Sequence, residues 1–124
     1  MDLQEVTKMS MEIRKQYHAL ERQLHEQEWT TEEDALAFLT DAGLVGRQVM
    51  AKEGRWPSDN EDILPAKIGD CVWGLAVLAE RSGIDFSEAV EDFLKTRLED
   101  LSKTLKKRLY EKIMNLWKAV PMDS

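Results

Sequence analysis

From Ile68 to Ala79 the chain is almost continuously apolar, with Ile68, Val72, Trp73, Leu75, Ala76, Val77, Leu78 and Ala79. Wound into a helix, such a segment has little surface fit for water, so it must be buried on most sides. No segment shows the alternating pattern of a half-buried strand. Residues 68–79 therefore read as the central helix of an all-helical fold, and the rest of the chain must supply the helices that surround it.

Three further segments have helical periodicity. Leu3, Val6, Met9, Ile13, Tyr17, Leu20 and Leu24 recur at spacings of three and four, which predicts an amphipathic helix over about 2–28. Thr30 and Glu33 form a capping-box pattern that opens a second helix over 31–53. Its apolar positions are Leu36, Leu39, Leu44, Val45 and Val49, and Gly54 closes it. Gly43 and Gly46 lie inside it and weaken it, so their expected gain is the close approach of a neighbour.

Arg55 to Asn60 reads as a loop. Ser58 with Glu61 is a second capping-box candidate, and Pro65 is tolerated only near a helix start. The third helix is placed at 60–82, its start falling either at Ser58 or closer to Leu64. The fourth, over 86–118, carries Val90, Leu94, Leu98, Leu101, Leu105, Leu109, Ile113 and Leu116 as a heptad-like stripe. That stripe is longer than one small bundle can cover, so part of it is expected to pack against another subunit, giving a homodimer or higher homo-oligomer. Short connections favour a single four-helix bundle over 1–124.

The 124 residues suit one domain, and 43% hydrophobic with 33% charged residues is globular rather than disordered. A net charge of -7 argues against nucleic acid as a partner. Lys103, Lys106, Lys107, Arg108 and Lys112 form a local basic run that reads as a solvated helix face. The single cysteine, Cys71, sits among apolar residues and reads as a small buried hydrophobe. No apolar run has the length of a membrane span or the pattern of a signal peptide, so a cytoplasmic location is expected. His18 and His25 share a helix face without an acid motif beside them.

The order of motifs resembles the MazG-like branch of the all-α NTP pyrophosphohydrolases. The residues that carry the resemblance are Trp29, the run Leu39-Thr40-Asp41-Ala42-Gly43-Leu44-Val45-Gly46-Arg47, the run from Lys67 to Ala79, and Gly83-Ile84-Asp85. It spans Trp29 to Leu98. In that family the second helix carries E-x-x-E and the third E-x-x-D. These four acids hold Mg²⁺, and active members split nucleoside triphosphates between the α- and β-phosphates and release pyrophosphate. Carried over to this chain, the resemblance assigns the metal positions to Asp41 and Asp70. Leu44 and Lys67 stand where the other two acids would be.

Leucine offers no oxygen ligand, and an ammonium has three donors and no acceptor. The expectation is an ion-paired cluster of Asp41, Lys67 and Asp70 in place of a metal, with no cofactor and with weak or absent hydrolase activity. The alternative is an active, Mg²⁺-dependent enzyme whose site is rebuilt from Asp34, Asp41, Asp62 and Asp70. Arg55 and Trp56 are the candidates for holding a nucleotide, by phosphate contact and base stacking. Trp56 beside Pro57 would equally serve to cover the end of a bundle.

Overall fold

The computed structural model describes residues 1–57 and 63–121. Among these there are four helices and no strand: α1 Leu3–His25, α2 Thr31–Lys52, α3 Leu64–Arg81 and α4 Phe86–Ala119. None of them is long and apolar enough to cross a membrane. The chain divides into two compact units, Met1–Ser87 and Glu88–Ser124.

Local chemistry sets the helix ends. Asp2 caps α1 by accepting from the Glu5 amide at 2.8 Å. α1 stops at His25, short of the expected 28, because Glu26 takes a left-handed conformation with φ 61°. The Thr30–Glu33 capping box is present in both directions: Thr30 Oγ1 accepts from the Glu33 amide at 3.2 Å, and the Thr30 amide donates to Glu33 at 3.1 Å. Past the end of α2, Gly54 adopts φ +71°, a conformation that favours glycine. α3 begins at Leu64 with Pro65 in its first turn, where the missing amide hydrogen costs nothing. The other expected start, the Ser58–Glu61 box, lies outside the described residues, as does Asp62.

In the first unit α3 is central, packing against both α1 and α2. Ala76, Val77 and Phe86 are buried. Gly74 admits Phe38 of α2: a Cβ added there would stand 3.4 Å from that ring. Gly43 and Gly46, expected to serve this purpose, have nothing within 4 Å of an added Cβ. Burial of α3 is also less complete than its composition suggests, since Ile68, Val72 and Leu75 are 50%, 38% and 43% exposed.

The inward faces of α1 and α2 differ from the apolar stripes. On α1 the buried positions are Ser10 and Arg14, while Met9, Ile13, Tyr17, Leu20 and Leu24 are 43–73% exposed. On α2 the buried positions are Asp34 and Gln48, and Leu36 and Leu39 stand in solvent. Polar residues thus occupy the best-covered places of both helices.

The second unit is the body of α4, a helix of 34 residues in all. Lys95 pairs with Glu91 at 2.6 Å and Lys103 with Glu99 at 3.6 Å, both with the acid one turn N-terminal, the favoured order on a helix. Leu94, Leu105 and Leu116 are spaced eleven apart, as are Leu98, Leu109 and Val120. An eleven-residue repeat has 3.67 residues per turn, so the stripe runs nearly straight along the helix instead of drifting as a strict heptad would.

Candidate functional site

A groove of about 660 Å³ opens between α1, α2 and α3. Tyr17, Leu20, Trp29, Phe38 and Trp73 give it apolar and aromatic walls, and Asp41 and Asp70 also line it. The Trp73 indole nitrogen donates to the Ser10 carbonyl at 3.1 Å, and the ring meets Tyr17 edge-on with centroids 5.8 Å apart. These contacts fix both rings across α1 and α3.

Lys67 lies between the two acids. Its ammonium donates to Asp70 Oδ2 at 3.1 Å and to Asp41 Oδ1 at 3.4 Å. The Asp70 pair is within α3 at i,i+3, and the Asp41 pair ties α3 to α2. The hydrogen bond from Lys67 to Asp70 raises the Lys67 pKa, which keeps the amine charged. Cys71 is half-buried beside this cluster. Burial, reinforced by the charges of Asp41 and Asp70, pushes its thiol up, so it is a poor nucleophile.

These residues do not fit Mg²⁺. That ion requires near-octahedral oxygen coordination at about 2.0–2.1 Å. Here an ammonium takes the space between the two carboxylates, and half-buried Leu44 contributes no oxygen. Among the described residues no group of three or more His, Cys, Asp or Glu is arranged to hold a metal ion.

In the sequence Asp34 stands out only as a ligand of a rebuilt metal site. It is instead the hub of a buried ionic network. Asp34 Oδ2 accepts from Arg14 Nε at 3.1 Å and from Arg81 Nη1 at 2.6 Å, while Oδ1 lies 3.1 Å from Arg14 Nη2. Arg14 also grips Glu21 through both terminal nitrogens, at 2.8 and 3.1 Å. Glu21 in turn accepts from the Trp29 amide at 2.8 Å, and Arg81 donates to the Trp29 carbonyl at 3.0 Å. The network therefore joins α1, α2, α3 and the α1–α2 turn. Burial works against charge on Arg14, but Glu21 and Asp34 outweigh it and raise its pKa. A sequence signal for it exists: Ser10, Arg14 and Glu21 share one face of α1, as Asp34, Phe38, Asp41, Val45 and Gln48 do on α2.

Arg55 and Trp56 are exposed just past α2, and neither lines the groove. Arg47, which the sequence did not single out, places its guanidinium 4.8 Å from the Trp56 ring centroid. One face of that ring is therefore occupied by a cation–π contact. His18 Nδ1 lies 3.7 Å from Glu28.

Compared with known protein families, curated proteins and solved structures, the chain matches none.

Proposed function

We propose that this chain is a MazG-like helical binding module, acting as a homo-oligomer, in which a tethered lysine stands where that family holds its metal. The observation that supports this reading is the Lys67 ammonium at 3.1 and 3.4 Å from the Asp70 and Asp41 carboxylates. Pyrophosphohydrolase chemistry needs a cation that accepts water and phosphate oxygens as ligands. An ammonium already donating to two acids offers charge but no coordination site. What stays usable is the groove: about 660 Å³ lies within the range of small-molecule sites, and its aromatic walls suit a flat ring such as a nucleobase. Arg55 and Trp56 are a separate candidate contact for the nucleotide.

The test is pyrophosphate release from a panel of NTPs and dNTPs with Mg²⁺ or Mn²⁺. No release above background is expected. Turnover that disappears in Asp41→Ala and Asp70→Ala would reject the reading. Conversely, the pair Leu44→Glu and Lys67→Glu should create Mn²⁺ affinity measurable by calorimetry, because it restores four acids on facing helix turns.

A further inference from the structure

The stripe on α4 is close to a palindrome. Leu101 and Leu109 lie four residues either side of Leu105, and Leu94 and Leu116 lie eleven either side. Leu98 and Ile113 come at seven and eight. These side chains are all exposed, from 42% at Ile113 to 70% at Leu98. A lone helix in water gains too little from its own hydrogen bonds to hold such a stripe in solvent, so the stripe needs a cover.

The near-palindrome points to a second copy as the cover, and charge ranks the two ways it can lie. Residues 88–100 carry five acids against two bases, whereas 101–121 carry six bases against one acid. A parallel pairing of two α4 helices would set acid half against acid half and basic half against basic half. An antiparallel pairing centred on Leu105 sets residues 88–100, five acids and two bases, on the partner's 110–122, two bases and one acid, at both ends, and leaves like charge facing like only at the axis, where the two copies of Lys103 to Arg108 meet. A two-fold interface requires that if residue i meets residue j, then j meets i, and this is the property a palindromic stripe supplies.

We infer that α4 is the self-association surface of this protein, and that two copies pair their α4 helices antiparallel with Leu105 at the two-fold axis. The inference rests on the homo-oligomer reading above and adds orientation and register to it. In this arrangement Leu94 packs near the partner copy's residue 116, and the two copies of Leu94 are 22 residues of helix rise apart, about 33 Å. The basic run from Lys103 to Lys112 then flanks an interface instead of facing only solvent.

The test uses the full chain. Light scattering on the unaltered protein gives the oligomeric state. In a Cys71→Ala background, single cysteines are introduced as Leu94→Cys, Leu105→Cys and Leu116→Cys, and the proteins are oxidised alone and as mixtures. A disulfide needs Cα atoms within about 7 Å. Leu105→Cys should cross-link to itself. Leu94→Cys and Leu116→Cys should cross-link with each other when mixed and not with themselves. Self-cross-linking of Leu94→Cys would show parallel pairing and overturn this inference while leaving the homo-oligomer reading standing. A dimer that cross-links at none of these positions would overturn it in the same way. A monomer by light scattering would overturn both.

Discussion

Asp34→Ala is the most informative single substitution in the first unit. Asp34 is 8% exposed and is held by two guanidiniums, and the Arg14 side chain is only 2% exposed. Removing the carboxylate leaves Arg14 buried with one acid where it had two. Breaking a buried ionic pair costs about 3–5 kcal/mol, mostly because the remaining charge stays desolvated. The lower end applies here: Arg14 keeps its two-pronged contact with Glu21, and the Arg81 side chain, 22% exposed, can rehydrate. A loss of about 3 kcal/mol in a unit of this size lowers Tm by roughly 12–24 °C. Thermal melts followed by far-UV circular dichroism, together with urea titration, measure it. A second arm checks the cause. Arg14→Met combined with Asp34→Leu and Glu21→Gln removes the three charges that face one another and keeps an acceptor for the Trp29 amide, so it should be less destabilising than Asp34→Ala alone. A loss below about 1 kcal/mol for Asp34→Ala, the value of an exposed pair, would refute the assignment of this network as a buried determinant of the fold.

Gly43→Ala and Gly46→Ala should each raise stability by about 0.5–1 kcal/mol in urea titration, because an added Cβ meets nothing within 4 Å and alanine is the better helix former. A loss at either site would mean that a neighbour approaches there. Glu21 predicts a pH dependence. Burial pushes its pKa up, but hydrogen bonds from Arg14 and the Trp29 amide outweigh this and lower it overall. A carboxylate whose folded pKa is depressed adds stability above its ordinary value of about 4.3, and that stability is lost as pH falls through the folded value. Urea midpoints measured from pH 7 downward should therefore fall across this window, and the fall should be shallower in Glu21→Gln. An unchanged slope in that variant would remove Glu21 as a cause.

The helices were legible because their signals are local. The Thr30–Glu33 box and Gly54 act within one turn of the helix ends that they define. α3 was legible as the central element because its composition allows little exposure, and it does pack on both neighbours. The faces of α1 and α2 were not legible, and the reason is physical. Apolar periodicity finds the side of a helix that avoids water, and it equates that side with the packed side. Here the packed side carries Arg14, Glu21, Asp34 and Asp41, whose burial is offset by mutual pairing that a single-helix pattern cannot show. The apolar stripe of α1 lies next to that face, and Ile13, Tyr17, Leu20 and Leu24 become groove wall instead of core.

The same logic separates the two ionic clusters of the first unit. Lys67 was legible because its partner Asp70 is one turn away on the same helix, and Asp41 stands on a helix expected to face it. Arg14 and Asp34 are 20 residues apart and Asp34 and Arg81 are 47 apart, so only the fold brings them together. The two clusters also differ in what they can do. Arg14 and Asp34 are nearly sealed from water, and the two guanidiniums on Asp34 come from α1 and α3 while Asp34 stands on α2, which suits a fixed structural joint. Lys67, Asp41 and Asp70 keep 21%, 23% and 46% of their side-chain surface exposed, so this cluster stays in contact with water. The buried network ties α1, α2 and α3 together and lines the groove through Arg14, Glu21 and Asp34, whereas the half-exposed cluster reaches it through Asp41 and Asp70.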